Sequence, residues 1–295
     1  MPTLGVRTLA EIRTQPECWR QALDVAANAQ GLPARGESVL VLGCGTSYYI
    51  AQAYATLREA AGLGHTDAVI ASEIMQPLRR RYDRVVAISR SGTSVDLLMA
   101  VERLAPEVTV TALLGDIDTP LAQLSHHVID LGFADEESVV QTRFATTGLT
   151  VLRAAIGEDL EDELASAQVA VSDELPALPE RQLVVLAHGW STALAQEGAL
   201  KCREASAQWV EAYAAGEYRH GPLAAADATT LVWGLTPLSD VLVEAITSTG
   251  ARVQQPTHPP QAELVRIQRL AVEWAAAHGR DADRPEHLGR SVVIV

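Results

Sequence analysis

VLVLGCGTSYYIAQ, at residues 39–52, returns 144 positions later as LVVLAHGWSTALAQ, at residues 183–196. At this constant offset Gly45 matches Gly189 and Ser47 matches Ser191. Each copy begins with a β-branched strand, turns at a glycine, and continues from a serine into an alanine-rich helix. Two copies at a domain-sized spacing favour a duplicated α/β unit.

The alternation of strands and helices continues after the first copy. Strands are predicted at Val39–Leu42, Asp67–Ala71, Arg84–Ser89, Val108–Leu113, His126–Asp130 and Ser291–Val295. Helices are predicted at Leu9–Asn28, Ser47–Ala61, Ser94–Leu104, Thr142–Ala155 and Ala262–His278. This order is typical of an α/β protein with parallel sheets flanked by helices, in a flavodoxin-like or Rossmann-like three-layer sandwich. We expect a first domain with an N-terminal helix at 1–157, a linker helix and loop at 158–180, and a second domain with a C-terminal tail at 181–295.

Composition limits the possible functions. The chain has 295 residues, 48% of them hydrophobic, and a formal net charge of −14. Because nucleic-acid binding rests on basic surfaces, we expect no nucleic-acid partner. The first residues lack an apolar signal core, and the three cysteines lack metal-ligand spacing, so we expect a soluble cytoplasmic protein without a metal or cofactor. No apolar run is long enough to span a membrane, so no membrane partner is expected.

The chain contains a single lysine, Lys201, among twenty-three Lys and Arg residues. Glu204 follows three positions later on the same predicted helical face, and His220 lies sixteen residues beyond Glu204. A cation, a carboxylate and an imidazole in one segment could move protons on a sugar. The alternative is a surface helix carrying an ordinary Glu197–Lys201 ion pair.

Two loops rich in glycine and hydroxyl groups follow predicted strands: residues 43–47 read GCGTS and residues 89–94 read SRSGTS. In parallel sheets, ligands bind beyond the carboxyl ends of the strands, where backbone N–H groups and hydroxyls can hold a phosphate. Helix capping by these hydroxyls is the alternative for either loop taken singly. A dinucleotide site is disfavoured because Tyr48 stands where GxGxxG needs a small residue, and no P-loop is present.

Together these motifs resemble the sugar isomerase (SIS) domain family. The matching segments are Cys44–Ser47, the Ser89-x-Ser91-Gly92 motif, residues 136–143, Glu197–Leu223 and Asp283–Pro285. The resemblance is greatest to the isomerase half of glucosamine-6-phosphate synthases, and it implies the roles that follow.

The resemblance implies a site for a sugar phosphate and a shared active site. Glu204 corresponds to the base that moves a proton between C1 and C2, Lys201 to a lysine reaching the sugar hydroxyls, and His220 to the ring-opening histidine. In the family that histidine comes from the neighbouring subunit, so a homodimer is expected. The remaining candidate substrate-binding residues are Gly45, Thr46, Ser47, Ser89, Arg90, Ser91, Gly92, Ser94, Val139 and Arg290.

Three departures from the synthases shape the functional expectation. The chain begins almost at the isomerase half, so the glutaminase that would supply ammonia is not expected. Arg290 stands where the synthases have a lysine that forms a Schiff base, and a guanidinium cannot form that imine. Arg90 replaces a glutamine and would add a fixed charge beside the phosphate.

We therefore expect an isomerase or deaminase that acts on a hexose 6-phosphate through a cis-enediol or enediol-amine. The expected substrate is an amino sugar phosphate. A non-catalytic sugar-phosphate sensor and a fructosamine-phosphate deglycase are the alternatives.

Overall fold

The computed structural model describes residues 4–74, 78 and 80–292, and its strands form two separate parallel sheets. The strands, numbered along the chain, are β1 (Val39–Gly43), β2 (Thr66–Ile70), β3 (Arg84–Ser89), β4 (Thr109–Leu114), β5 (His127–Asp130), β6 (Gln182–Ala187), β7 (Val210–Ala214), β8 (Thr230–Gly234) and β9 (Arg252–Gln254). The helices are α1 (Val6–Arg13), α2 (Gln15–Asn28), α3 (Thr46–Ala60), α4 (Val95–Leu104), α5 (Pro120–Leu124), α6 (Arg143–Ala155), α7 (Glu161–Ala170), α8 (Ser191–Ser206), α9 (Asp240–Thr247) and α10 (Pro260–Ala277).

The first sheet has the order β2-β1-β3-β4-β5, and every neighbouring pair is parallel. All five residues of β1 are buried, as expected for a strand covered by helices on both faces. The unit built on this sheet, called the N-terminal unit below, comprises the described residues of 14–137, 143–160 and 289–292. Its order is that of flavodoxin-like sheets, in which ligands bind where the strand order reverses.

The second sheet has the order β7-β6-β8-β9 and is also parallel throughout. This order repeats β2-β1-β3-β4 of the first sheet, with β6 in the position of β1. The C-terminal unit built on it comprises residues 4–13, 138–142 and 161–288. Helix α10 is buried along most of its length and packs against α8.

The predicted elements are confirmed with shifts of one or two residues, apart from both chain ends. The predicted helix at Leu9–Asn28 is two helices, which separate at Thr14. Pro16 in the first turn of α2 lacks an N–H group, so it cannot continue the hydrogen-bond ladder of α1, which explains the break. The predicted strand at Ser291–Val295 is wrong for Ser291 and Val292, which lie outside any strand, and residues 293–295 lie outside the described residues.

The grouping of segments into units also differs from the predicted boundaries at 157 and 181. Residues 4–13 and 138–142 were expected in the first domain, but they group with the C-terminal unit. The predicted linker at 158–180 contains α7, which packs on α10 of the C-terminal unit. These groupings depend on contacts between segments far apart in the sequence, for which local patterns carry no signal.

Candidate functional site

The first hydroxyl loop of the N-terminal unit lies between β1 and α3, at the carboxyl end of the central strand. Gly45 adopts a φ of 54°, a left-handed conformation that favours glycine, and α3 begins directly after it. Thr46 and Ser47 are 5% and 4% exposed, and no side chain caps the helix. The N-cap residue of this 15-residue helix is thus a glycine, which has no side chain to cap it. Phosphate binding by Thr46 and Ser47 stays a prediction.

The neighbouring loop after β3 is held in shape by its own hydroxyls. Ser89 Oγ accepts a hydrogen bond from the Gly92 amide at 3.0 Å, and Ser91 Oγ accepts one from the Thr93 amide at 3.3 Å. Gly92 has a φ of 60° and packs so closely on Thr119 that a Cβ would lie 2.2 Å from Oγ1 of Thr119. Ser94 precedes α4 without capping it. The loop is thus preformed, with Ser91 and Ser94 half-buried.

Arg90, in the same loop, is a buried residue with a buried carboxylate nearby. Its side chain is 1% exposed, lies 3.8 Å from the buried carboxylate of Glu136, and donates to the carbonyl oxygen of Arg290 at 3.2 Å. The charge of Arg90 is therefore matched by Glu136, and its place beside a phosphate stays a prediction. The Arg290 guanidinium in turn donates to both carboxylate oxygens of Asp135, each at 2.6 Å.

Cys44 lies inside the first loop but is not suited to nucleophilic chemistry. Burial raises the pKa of its thiol, and the nearby carboxylate of Asp96 raises it further. Because the thiolate is the reactive form, Cys44 stays a protonated, half-buried side chain at neutral pH.

The C-terminal unit brings Lys201 and Glu204 together on α8. The Lys201 ammonium donates to a Glu204 carboxylate oxygen and lies 3.6 Å from the carboxylate of Glu197. Lys201 and Glu197 are 1% and 0% exposed, whereas the Glu204 side chain is 22% exposed. The alternative of a surface helix with an ordinary ion pair is wrong, because α10 covers this helix. Glu197, one turn before Lys201, is the part of this cluster whose burial the sequence did not reveal.

Glu204 opens onto a cleft of about 690 Å³ within the C-terminal unit. One wall is the carboxyl end of α8, and the other is the segment after α10. Two residues of the cleft other than glycine have positive φ, Ala207 at 54° and His287 at 65°, the only such residues in the described part of the chain. Left-handed residues that are not glycine cluster at functional sites, which makes this cleft a candidate site. Its charged or titratable lining residues are Arg203, Glu204, Arg280, Asp281, Arg284, Glu286 and His287.

His220 and Val139 lie apart from this cluster in their local contacts. His220 is exposed in the turn after a short 3₁₀ segment at 215–217, and its amide donates to the Glu217 carbonyl at 2.9 Å. Among the described residues, no hydrogen bond or ion pair joins its ring to Lys201 or Glu204. Val139 is half-buried in the segment 138–142 of the C-terminal unit.

Metal-binding clusters and membrane-spanning helices are both absent from the described residues. Over residues 4–74, 78 and 80–292, no three His, Cys, Asp or Glu side chains are arranged to hold a metal ion. Over the same ranges, none of the helices combines the length and the hydropathy that crossing a membrane requires.

Comparison with known proteins identifies the relatives of this chain. Residues 34–156 match the family model of the SIS domain. The glutamine–fructose-6-phosphate aminotransferase (isomerizing) of Xylella fastidiosa strain Temecula1 is 27% identical over 96% of this chain and 58% of its own length. The chain thus spans between half and three fifths of the length of the first curated relatives it matches.

Two solved structures share the whole fold. Glucosamine-6-phosphate deaminase from Thermotoga maritima has a TM-score of 0.79 and 25% identity, covering 98% of this chain and 100% of its own. Tagatose-6-phosphate ketose/aldose isomerase from Escherichia coli has a TM-score of 0.74 and 19% identity, covering 99% and 98% of the two chains. The second likeness concerns the fold alone.

Proposed function

From the SIS domain at residues 34–156, a sugar-isomerase domain, we infer that this protein is a phosphosugar isomerase that deaminates an amino hexose 6-phosphate. We treat the C-terminal unit as a second, tandem SIS domain, since its sheet repeats the order of the first. The observation that carries the proposal is the ion-paired cluster of Lys201 and Glu204, in which a buried ammonium adjoins a carboxylate that opens onto a cleft.

The proposed reaction needs one base that acts on two adjacent carbons. We expect the hydroxyl loops to bind phosphate groups. Glu204 is the proposed base for C1 and C2 of the open-chain aldehyde. Glu204 removes the proton from C2, which gives an enolamine, and returns a proton to C1, which leaves an imine at C2. Water then hydrolyses the imine to the ketose 6-phosphate and ammonia. Lys201 fixes the carboxylate and supplies a donor for the sugar oxygens.

Purified protein incubated with glucosamine 6-phosphate tests the proposal directly. We expect fructose 6-phosphate and ammonia to form in equal amounts. Glu204→Gln keeps the shape of the side chain but removes the base, so kcat should fall by about 10²–10⁴. Glu244→Gln, on the exposed face of α9, is the matched control and should leave kcat unchanged. Wild-type protein that turns over none of a panel of aldose, ketose and amino sugar phosphates would refute the proposal.

The proposal includes a homodimer in which His220 serves the site of the other subunit. The exposure of His220, without a described bond to Lys201 or Glu204, supports this arrangement. Mixing inactive Glu204→Gln and His220→Gln proteins should then restore activity at about one quarter of the sites, because half of the dimers are mixed and each carries one intact site. If the mixture stays as inactive as its components, each subunit uses its own His220 or none.

A fructosamine-phosphate deglycase is the second candidate, and the cleft beside Glu204 favours it. Arg284 lines that cleft with an exposed side chain, and the described contacts give its guanidinium no ion pair or hydrogen bond. A guanidinium there could hold the carboxylate of an amino acid linked to C1 of the sugar. Faster turnover of the alanine conjugate of fructose 6-phosphate than of the ethylamine conjugate, with the preference lost in Arg284→Gln, would favour this reaction over simple deamination.

A further inference from the structure

The C-terminal segment 289–292 lies against the hydroxyl loop that follows β3, within the N-terminal unit. Thr93 Oγ1 lies 3.1 Å from Ser291 Oγ, and the Val95 amide donates to the Val292 carbonyl at 3.4 Å. The segment therefore contacts the loop at the point where α4 begins.

Two arginines hold this segment in place reciprocally. The Arg290 side chain donates to both oxygens of Asp135 and to the carbonyl of Glu136. The Arg90 side chain, which belongs to the loop, donates to the carbonyl of Arg290 at 3.2 Å. Arg90 thus binds the segment that carries Arg290. Arg290 in turn binds residues 135–136, which include Glu136, the buried carboxylate nearest to Arg90.

Glu136, the buried carboxylate near Arg90, is itself held in place by hydrogen bonds. Glu136 is 1% exposed as a residue and accepts hydrogen bonds from the Arg143 amide at 2.9 Å and the Phe144 amide at 3.3 Å, at the start of α6. Glu136 lies 3.8 Å from the guanidinium of Arg90, and both side chains are buried. Separating two such buried charges costs free energy, because each would be left without its counter-charge. These contacts together fix the position of the segment against the loop.

The consequence is a row of three hydroxyls at the amino end of α4. Thr93 Oγ1 lies 3.1 Å from Ser91 Oγ and 3.1 Å from Ser291 Oγ. Because a hydroxyl carries one proton, Thr93 can donate to one neighbour while it accepts from the other. Ser91 and Ser291 are both half-buried, so a ligand at this edge of the sheet can reach them.

We propose that Ser291 is a phosphate-binding residue supplied by the C-terminal segment, and that Arg90 and Arg290 are positioning residues that hold it beside Ser91. The proposal rests on the proposed function in one respect only, that the hydroxyl loops bind phosphate. In this proposal Arg90 and Arg290 share one role, which is to hold Ser291 beside Ser91.

Calorimetric titration of the full chain with inorganic phosphate and with fructose 6-phosphate tests this role. Ser291→Ala should weaken both affinities about tenfold, the effect of losing one hydrogen bond to a charged group, and leave Tm unchanged. Ser291→Thr keeps the hydroxyl and should restore the affinity. Ser248→Ala, which removes a hydroxyl bonded to the Ala245 carbonyl of its own helix, is the matched control and should have no effect.

A second variant tests the positioning role. Arg290→Gln should raise the dissociation constant for phosphate by a similar factor and raise KM more than it lowers kcat, because it displaces Ser291 without touching Glu204. Arg20→Gln, which breaks an exposed ion pair with Glu17 at 2.8 Å on α2, is the control and should leave phosphate affinity unchanged.

The outcomes separate this proposal from the proposed reaction. Wild-type affinity in Ser291→Ala, or no recovery in Ser291→Thr, would overturn the role of Ser291. Protein that binds phosphate in a Ser291-dependent way but turns over no sugar would refute the reaction and support the phosphate role. If the protein is active and neither Ser291→Ala nor Arg290→Gln changes its KM, the reaction is supported and the phosphate role of Ser291 is refuted.

Discussion

At the scale of single residues, Lys201 and Glu197 are a buried charge pair whose partners depend on one another. An ammonium 1% exposed and a carboxylate 0% exposed, 3.6 Å apart, are tolerated because each reduces the cost of burying the other. Lys201→Met removes the ammonium and leaves the carboxylate buried, so we expect the free energy of unfolding to fall by about 3–5 kcal/mol. Denaturant unfolding monitored by circular dichroism measures this loss.

The double variant Glu197→Gln with Lys201→Met is the control for that prediction. It removes both charges, so it should recover a large part of the lost stability while activity stays low. If the double variant is less stable than Lys201→Met alone, the pairing of these two residues does not explain the stability of α8.

Two loop glycines should differ in their tolerance of alanine. Gly45 and Gly92 both have positive φ, but a Cβ on Gly45 would meet nothing within 4 Å, whereas one on Gly92 would meet Thr119. Gly45→Ala should therefore cost only the conformational term, about 1–2 kcal/mol. Gly92→Ala adds a steric clash and should cost about 2–4 kcal/mol in all. Equal unfolding midpoints for the two variants would contradict this account.

The sequence predicts local pairs but not distant ones. The spacing of three residues was enough to predict that Lys201 meets Glu204, because helical geometry fixes that neighbourhood. The burial of Glu197 was not predictable, since the covering helix α10 lies more than sixty positions away in the chain. The pairing of Arg90 with Arg290 and Glu136 was missed for the same reason: 200 residues separate the two arginines.

At the scale of elements, an ion pair ties the loop before β1 to the first residue of β3. The Arg84 guanidinium donates to both oxygens of Glu37, at 2.9 and 3.1 Å. These hydrogen bonds hold the pKa of Glu37 below its usual value, although burial acts in the opposite direction. Because the folded-state pKa is the lower one, the pair stabilises the protein fully above the unfolded-state pKa of about 4.3. That contribution is lost as the pH falls through the folded-state pKa.

Comparing Glu37→Gln with wild type at two pH values tests this linkage. At pH 7 we expect the variant to be less stable by about 1 kcal/mol, and at about pH 3 the difference should shrink. Glu17→Gln, which removes an exposed i,i+3 pair with Arg20 on α2, is the control and should cost less than about 0.5 kcal/mol. A difference between Glu37→Gln and wild type that stays constant with pH would contradict the assignment.

Elements were predictable where the local pattern is strong. Strands β1 and β3 are buried apolar runs whose bounds are predicted within one residue. Strand β6 was expected only as the start of the second repeat copy, and it begins one residue before that copy. The break between α1 and α2 was missed although Pro16 carried its signal, because the apolar spacing continues across Thr14.

At the scale of the whole molecule, residues from near the two ends of the chain meet within the C-terminal unit. Asp283 accepts hydrogen bonds from the Arg7 amide at 3.0 Å and from the amide and hydroxyl of Thr8, both at 2.8 Å. The 144-residue repeat predicted two α/β units, but it carried no sign that residues 4–13 belong with the second sheet. Long-range contacts such as those of Asp283 decide that grouping.

Asp283→Ala should therefore weaken the C-terminal unit and also disturb the cleft beside Glu204. Losing a charged acceptor for three donors, including the buried Thr8, should lower the free energy of unfolding by about 2–3 kcal/mol. Since Asp281 and Arg284, on either side of Asp283 in the chain, line the cleft, KM for the sugar phosphate should rise as well. Asp227→Ala is the matched control, because Asp227 bonds only within its own exposed turn, to the Thr229 amide at 2.8 Å and neighbouring hydroxyls. Unfolding of Asp283→Ala at the same denaturant midpoint as Asp227→Ala would show that the contact between the chain ends does not stabilise the unit.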